Sequence, residues 1–240
     1  MKSLRVFTSP EAMAEEIAFQ WQEQANQAQK EGGVFSVVLS GGSTAARLYR
    51  RLAERDYADG IPWHVVHLFW ADERCVSPKS EESNYGNCRR FLLNHIPLPN
   101  ENIHRIRGEK DPVTESDRYA REIQNHMALR KEQVVFFDWL FLGVGSDGHM
   151  ASLFPMQDSL NSSNLCEKVL HPQTNQTRIT LTPAAIKRSN RITYHVIGQS
   201  KAEVISKLVS KSPESKKFPA AHVLGEWYLD HAAASSLENF

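Results

Sequence analysis

The chain has no excess of charge of either sign. Its 240 residues include 28 Lys plus Arg and 28 Asp plus Glu, so the formal net charge is zero. A nucleic-acid surface or a polybasic membrane patch usually shows as a basic excess, and this composition supports neither class. We therefore expect no nucleic-acid partner and no membrane partner. Any anionic ligand must be bound by a few local positive groups.

Long apolar runs and paired cysteines are also missing. No segment reaches the ~20 apolar residues of a transmembrane helix, and the amino-terminal segment lacks the apolar core of a signal peptide. The three cysteines, Cys75, Cys88 and Cys166, are odd in number and lack metal-type spacing. We interpret them as free thiols in a reducing compartment, which predicts a cytoplasmic protein.

The apolar residues that are present, 41% of the chain, fall into alternating strand-like and helix-like segments. Strands are expected at residues 4–7, 34–39, 64–70, 103–106, 134–142, 178–181 and 191–197. Helices are expected at residues 10–30, 45–54, 84–94, 113–130 and 200–210, and a strand-like or helical element at 227–237. This alternation predicts the α/β class with a mainly parallel sheet. No linker or repeat is evident, so one domain over residues 1–240 is the simplest division.

One stretch, residues 134–155, carries an acid and a base at the end of a buried strand. The strand begins at Val134 and ends before Gly143, and Asp147 and His149 follow on a glycine-rich turn. Ligands of open parallel sheets bind at the carboxyl ends of the strands. A lone histidine is usually structural, but here a carboxylate could fix the tautomer of an imidazole that titrates near neutral pH. The pair is a candidate catalytic site.

The same stretch contains a formal G-x-G-x-x-G motif, Gly143 to Gly148, which we interpret as a false match. A dinucleotide fingerprint should open a long helix, and Pro155 follows too soon. A metal site from Asp72, Asp147 and His149 lacks any H-x-x-x-H or paired-Cys spacing, so none is predicted. A serine hydrolase would need a G-x-S-x-G elbow, which is absent.

A second motif, Ser40 to Thr44 (SGGST), joins a predicted strand to a predicted helix. Gly41 and Gly42 permit close backbone approach, and Ser43 and Thr44 add hydroxyl donors at a helix amino terminus, which favours a phosphate cradle. The motif lacks the lysine of a P-loop, so nucleotide hydrolysis is not expected. A turn with Ser or Thr as the N-cap explains the residues equally well.

A third motif, Asp72-Glu73-Arg74, follows another predicted strand. It could be a catalytic cluster or a solvated loop, and for an arbitrary charged triplet the loop is the commoner case. Position favours the cluster, because the carboxyl ends of three predicted strands should share one face of the sheet.

Taken together, the motifs of this chain resemble those of the 6-phosphogluconolactonase family, of the short cytosolic type. The resemblance covers nearly the whole chain in order, and its most specific part is DGH-x-ASLFP. The matching segments are LSGGST (39–44), WADERCV (70–76), SNY (83–85), NIHRI (102–106), GVGSDGHMASLFP (143–155), RITLTP (178–183), GQSKA (198–202), FPAA (218–221) and residues 227–234.

The resemblance implies a three-layer Rossmann-like fold, with helices on both faces of the sheet and no dinucleotide. It implies hydrolysis of 6-phospho-D-glucono-1,5-lactone to 6-phosphogluconate, the second step of the oxidative pentose phosphate pathway. The partner is then a small phosphorylated sugar lactone, without a metal or organic cofactor. A monomer or weak homo-oligomer is expected. Met150 departs from the family, which usually has Thr there.

On this hypothesis His149 is the general base, and Asp147 orients its imidazole. Arg74 stabilises the oxyanion or binds the sugar, and Asp72 binds a sugar hydroxyl or holds Arg74. The substrate phosphate lies against Gly42, Ser43 and Thr44. Lys201, with Arg178 as a further candidate, completes the charge balance at the phosphate.

Two rival functions use the same fold. Amino-sugar phosphate deaminases share DGH but continue to a Phe-Asn-Glu-Pro segment and tend to have Tyr after Asp-Glu. This chain has no carboxylate in Ala151 to Pro155 and has Arg74 after Asp-Glu, which favours the lactonase. A non-catalytic sugar-phosphate sensor normally carries a DNA-binding module, and no spare sequence for one is evident.

Overall fold

Strands and helices alternate along the chain in a computed structural model that describes residues 1–128 and 135–237. The strands are β1 (Ser3–Phe7), β2 (Phe35–Leu39), β3 (Val66–Trp70), β4 (Asp72–Arg74), β5 (Ile103–His104), β6 (Phe137–Leu142), β7 (Cys166–Leu170), β8 (Thr177–Leu181), β9 (Ser189–Val196) and β10 (Glu226–Asp230). The helices are α1 (Pro10–Lys30), α2 (Gly42–Leu52), α3 (Arg55–Ala58), α4 (Asn84–Phe91), α5 (Pro112–Ala128), α6 (Pro183–Ile186), α7 (Ala202–Val209) and α8 (His231–Ala234).

Seven strands form one parallel sheet in the order β1-β10-β9-β6-β2-β3-β5. The predicted fold class, a three-layer Rossmann-like α/β fold with a mainly parallel sheet, is therefore confirmed. Because the seven strands run in one direction, their carboxyl ends lie along one edge. The segments that follow β2, β3, β6 and β9 start at that edge.

The central strand β6 is buried because apolar residues cover both of its faces. Trp139, Phe141 and Leu142 are each at most 1% exposed. On one side Trp21 of α1 stacks on Phe141, with ring centroids 6.0 Å apart. The indole Nε1 of Trp139 donates to Thr193 Oγ1 of β9 at 2.8 Å, which satisfies the polar atom of this aromatic side chain. This packing fixes the strand that leads into Asp147 and His149.

A second, three-stranded antiparallel sheet in the order β4-β8-β7 was not predicted. The sequence predicts a cluster or loop at Asp72 to Arg74, after a strand, and no strand around Glu167. Both segments are strands, β4 and β7, that pair with β8. Their charged residues obscure the strand pattern, and pairing with β8 overrides the weak local propensity.

Several boundaries differ from the prediction. Helix α2 begins at Gly42 rather than Ala45, because Gly41 takes the extended backbone of an N-cap. The predicted start of the central strand, Val134, and the predicted end of the α5 helix, Arg130, both lie outside the described residues. The closing segment contains a strand and then a helix, with the carboxylate of Asp230 capping α8.

The prediction of α1 is confirmed at both ends. Ser9 Oγ accepts a hydrogen bond from the N–H of Ala12, and Pro10 occupies the first helical position. Although α1 is the longest helix described, neither it nor any other helix in residues 1–128 and 135–237 has the length and apolar character to span a membrane.

Candidate active site

A cleft of about 260 Å³ lies at the carboxyl edge of the parallel sheet. Residues after β2, β3, β6 and β9 line it, together with a residue of β8. Nine of the ten predicted site residues are among its lining: Gly41, Gly42, Ser43, Thr44, Asp72, Arg74, His149, Arg178 and Lys201. The tenth, Asp147, is not a lining residue, but it is hydrogen-bonded to His149, which is. The structure therefore brings the predicted residues together, and their roles stay predictions.

A tight turn after β6 holds His149 at the cleft. The N–H of Gly145 donates to the carbonyl of His149 at 2.9 Å, and the N–H of Gly148 donates to the carbonyl of Gly145 at 3.0 Å. Gly148 has a φ of +80°, a conformation that L side chains rarely adopt. No helix follows in the next residues, Ala151 to Pro155, which agrees with a false dinucleotide match.

The carboxylate of Asp147 fixes the orientation of the His149 ring. Oδ1 of Asp147 lies 2.6 Å from Nδ1 of His149 and also accepts from the N–H of His149 at 3.2 Å. Partial burial disfavours the charge of Asp147, but the hydrogen bonds and the attraction of His149 outweigh it and lower its pKa to about 2. With Nδ1–H donated to an ionised carboxylate, Nε2 is the ring nitrogen that can accept a proton.

Gly145 leaves the space that this pair occupies. A Cβ atom at Gly145 would lie 2.1 Å from Nδ1 of His149 and 2.6 Å from Oδ1 of Asp147. Both distances are far inside van der Waals contact. A side chain at this position would displace the imidazole or the carboxylate.

The amino terminus of α2 forms another wall of the cleft. Gly41 is the N-cap and no side chain caps the helix, so the Ser or Thr N-cap that the sequence left open is not what forms here. Gly42 has a φ of +92°, and both Gly42 and Ser43 are exposed. The first N–H groups of a helix have no intrahelical partner. Exposed in a cleft, they attract an anion.

Ser40, the first residue of the SGGST motif, has a structural role. Its hydroxyl donates to the carbonyl of Phe141 at 2.6 Å, and its own carbonyl accepts from the hydroxyl of Tyr49 at 2.7 Å. These bonds tie the end of β2 to β6 and to the body of α2. They hold the α2 amino terminus beside the turn that carries His149.

Three cations line the cleft. Arg74 of β4 and Arg178 of β8 are register partners in the antiparallel sheet, and Lys201 comes from the short 3₁₀ turn before α7. Burial lowers the pKa of Arg178, and the nearby charge of Arg74 lowers it further. Burial also lowers the pKa of Lys201, against the opposing attraction of Asp147. This concentration of partly buried positive charge suits an anionic ligand.

Asp72 is tied to its neighbours by two side chains. Its Oδ2 accepts from the hydroxyl of Ser152 at 2.6 Å, and its Oδ1 accepts from Nδ2 of Asn84 at 3.3 Å. Arg74 instead donates from Nη1 to the carbonyl of Glu82 at 2.5 Å. Within the described part of the chain, no hydrogen bond or ion pair joins Asp72 to Arg74. These contacts give no support to the role in which Asp72 holds Arg74, and sugar binding by Asp72 stays a prediction.

Glu73, between these two residues, is a buried anchor. Its carboxylate accepts from the N–H groups of Arg74, Asn84 and Tyr85, each at 2.8 Å, and from the hydroxyl of Ser83 at 2.9 Å. Burial raises the pKa of Glu73 in spite of these four donors. The network joins β4 to the amino terminus of α4 and so sets the position of both cleft residues, Arg74 and Asn84.

Two cleft residues were missed by the sequence reasoning. Asn84 packs tightly against Gly41: a Cβ atom at Gly41 would lie 1.9 Å from Oδ1 of Asn84. The only sequence signal for Asn84 was the SNY motif. His195 of β9 is 2% exposed, and neither ring nitrogen has a hydrogen-bond partner among the described residues. Burial lowers its pKa to about 4. A polar residue near the carboxyl end of a buried strand was the available signal.

Comparison with known proteins gives the family. A family model described as "Glucosamine-6-phosphate isomerases/6-phosphogluconolactonase" matches residues 8–229. The chain belongs to this family. A 6-phosphogluconolactonase of Aggregatibacter actinomycetemcomitans is 43% identical over 206 residues, which cover 84% of this chain and 87% of that protein.

Solved structures are similar over almost the whole chain. A crystal structure titled "devB protein" has a TM-score of 0.88 and 36% identity, and the match covers 99% of this chain and 100% of that one. A 6-phosphogluconolactonase from Thermotoga maritima has a TM-score of 0.81 and 25% identity, with 96% and 100% covered. The family description includes isomerases as well as lactonases, so the site residues must distinguish them.

One departure from the family pattern, Met150, is accommodated by the core. Met150 is 1% exposed, and its Sδ accepts a hydrogen bond from the hydroxyl of Tyr194 at 3.1 Å. Because the side chain points into the core beside β9, it leaves the imidazole of the preceding residue, His149, at the cleft.

Proposed function

We propose that this protein hydrolyses 6-phospho-D-glucono-1,5-lactone to 6-phospho-D-gluconate, the second step of the oxidative pentose phosphate pathway. The observation that carries the proposal is the arrangement of one cleft. The His149–Asp147 pair faces a wall formed by Arg74, Arg178 and Lys201. The name of the 43% identical relative supports the same activity.

His149 acts as the general base. Its Nδ1–H is donated to Asp147, so Nε2 takes a proton from a water molecule, whose oxygen attacks C1 of the lactone. The C1–O bond to the ring oxygen then breaks, and the imidazolium returns its proton to that oxygen as the ring opens. Water is the only co-reactant: its oxygen and one hydrogen remain in the new carboxyl group at C1, and its other hydrogen is transferred to the former ring oxygen. Because a lactone carbonyl is an activated ester, this modest catalysis is sufficient.

Arg74 stabilises the oxyanion that forms on the carbonyl oxygen of C1 when water attacks. Arg74 lines the cleft, and its guanidinium can supply charged donors to the oxyanion. The substrate phosphate binds the N–H groups of Gly42, Ser43 and Thr44 at the start of α2, with Arg178 and Lys201 as counter-charges. These assignments place the lactone ring between the phosphate site and His149.

The missing carboxylate in Ala151 to Pro155 distinguishes this activity from deamination. The direct test uses freshly prepared 6-phosphogluconolactone with correction for its spontaneous opening, and measures ammonia release from glucosamine 6-phosphate in parallel. Lactone hydrolysis without ammonia release is expected. Ammonia release without lactone hydrolysis would overturn the proposal, and binding without turnover of either compound would point to a sensor.

The base assignment has its own test, His149→Asn. The amide keeps a polar side chain of similar reach but cannot accept the proton, so kcat is expected to fall by ~10²- to 10⁴-fold. Activity of the variant at the wild-type level, after subtraction of the spontaneous rate, would show that the base is another group.

We further infer a single domain over residues 1–240, a cytoplasmic location, and a monomer or weak homo-oligomer. The mechanism requires no metal and no organic cofactor. Lactonase activity is therefore expected to survive dialysis against EDTA, and sedimentation velocity would report the oligomeric state.

A further inference from the structure

Three histidines from three separate elements meet on the parallel sheet away from the cleft. His67 lies on β3, His104 on β5 and His126 on α5, and one ring nitrogen from each lies within 4.8 Å of the others. Nδ1 of His67 is 3.0 Å from Nε2 of His104. None of the three lines the cleft. The sheet thus brings together imidazoles that the proposed reaction does not use.

Two of the three rings contact a polar side chain. Oε1 of Glu122 lies 2.9 Å from Nδ1 of His104, and the hydroxyl of Ser36 lies 2.7 Å from Nε2 of His126. A carboxylate on the outer nitrogen of an imidazole fixes its tautomer and raises its basicity, which is the usual arrangement around metal-ligating histidines. With Nδ1–H donated to Glu122, His104 directs the lone pair of Nε2 toward His67.

The cluster also has an apolar wall. The ring of Phe69 stacks on His104 with centroids 4.3 Å apart and lies 5.0 Å from His126.

We propose that His67, His104 and His126 bind one divalent transition-metal ion of the class that prefers imidazole, with Zn²⁺ as the reference ion. Imidazole suits zinc, copper and nickel, whereas magnesium and calcium select oxygen ligands. Three protein ligands leave a fourth position for water. The local H-x-x-x-H spacing that sequence reasoning sought is absent because each ligand comes from a different element.

The distances require only a small closure. Zn–N bonds of about 2.0–2.1 Å in a tetrahedral site separate the ligand nitrogens by roughly 3.4 Å. The His67–His104 separation of 3.0 Å is already close to this value. The three nitrogens all lie within 4.8 Å of one another, so no separation must shorten by more than roughly 1.4 Å through side-chain rotation. The ion takes the place of the proton between His67 and His104, and His67 carries its own proton on Nε2 instead.

Such an ion would link an edge strand to the helix that covers it. Strand β5 has only two residues and pairs with β3 alone among the described strands. A metal bound by His67, His104 and His126 would join β3, β5 and α5. It would raise the thermal stability of the protein and leave the lactonase mechanism unchanged.

The test uses the full-length protein after dialysis against EDTA. Zn²⁺ binding is measured by isothermal titration with ZnCl₂ and by metal analysis after gel filtration, with MgCl₂ as the comparison. The visible absorption of bound Co²⁺ reports the coordination of the ion. One Zn²⁺ per chain and a Tm increase of about 5 °C or more at saturating Zn²⁺ are expected, with none for Mg²⁺. Failure to bind Zn²⁺ would overturn the proposal and leave a hydrogen-bonded core cluster.

Variants locate the site. The double variant His67→Gln/His126→Gln should lose the Zn²⁺-dependent Tm increase, whereas His64→Gln, an exposed histidine near β3, should keep it. If the double variant does not fold, Glu122→Gln tests the site instead, because loss of the carboxylate that contacts Nδ1 of His104 should weaken Zn²⁺ affinity about 10-fold or more. A Zn²⁺ response that persists in the double variant, or unchanged affinity in Glu122→Gln, would show that the ion binds elsewhere.

Discussion

Arg74 and Arg178 lie directly opposite each other on the antiparallel strands β4 and β8. Like charges in that position are destabilising, and the lowered pKa of Arg178, which results from burial and from Arg74, reflects the strain. The carboxylates of Asp72, Glu82 and Glu73 act in the opposite direction on this pKa. An anion bound in the cleft, as proposed, would further reduce the repulsion between the two guanidinium groups.

Arg178→Gln should therefore separate stability from binding. Removal of one of the two opposed charges is expected to raise the Tm of the ligand-free protein slightly. Loss of a charged hydrogen bond to phosphate, worth about 2 kcal/mol, is expected to lower kcat/KM ~30-fold, mainly because KM rises. Thermal unfolding and lactone kinetics measure the two effects. Arg89→Gln, an exposed position on α4, is the matched control. A kcat/KM for Arg178→Gln equal to that of the control would remove Arg178 from the phosphate site.

Gly145→Ala should displace the proposed catalytic pair, Asp147 and His149, without a change in either side chain. The new Cβ would occupy the space of the His149 ring, 2.1 Å from its Nδ1, so kcat is expected to fall ~100-fold or more as the imidazole is displaced. At Gly143, two residues earlier, an added Cβ meets nothing within 4 Å. Gly143→Ala should lose far less activity. Equal losses in the two variants would argue against positioning by close packing.

Asp147→Asn should place the proton on the wrong nitrogen of His149. The amide can donate to Nδ1, which leaves the hydrogen on Nε2 and removes the base that faces the cleft. A fall in kcat of ~10²- to 10⁴-fold is expected, with KM little changed. Ser146→Ala alters the preceding exposed residue and should be nearly neutral. If Asp147→Asn retains wild-type kcat, the carboxylate does not orient the base.

His195→Leu should change how stability depends on pH. Burial lowers the pKa of His195 from 6.5 to about 4, so an unfolded chain binds the proton at a pH where the folded chain does not. The contribution of His195 to stability is complete above pH 6.5, falls by up to ~1.4 kcal/mol per pH unit as the pH drops toward 4, and then levels off. Urea unfolding at pH 7.5, 5.5 and 4.5 measures this slope.

The leucine variant should lose less stability on acidification than the wild type, because the contribution of His195 to the pH dependence is removed. At pH 7.5 its stability should equal or exceed that of the wild type, because two unpartnered buried nitrogens are removed. His64→Gln, at an exposed position, should retain the wild-type slope. An unchanged slope in His195→Leu would mean that His195 is not the buried neutral group inferred from its surroundings.

Much of the architecture follows from local sequence pattern. Apolar runs and turn residues predicted the parallel strands, and their shared direction predicted that the residues after β2, β3 and β6 would meet. Strands β4 and β7 were missed because Asp72, Glu73, Glu167 and Lys168 give no strand periodicity. Their conformation depends on pairing with β8, which no local window contains.

The sequence by itself determined those features whose partners lie a few residues apart. Asp147 and His149 face each other because a glycine turn constrains two residues separated by one, and Ser9 caps α1 because its hydroxyl reaches the first helical turn. Only the tertiary structure decided that Arg74 opposes Arg178, that His195 is buried in the cleft wall, and that His67, His104 and His126 converge. Their partners are distant along the chain, and burial across the whole sheet selects the register that joins them.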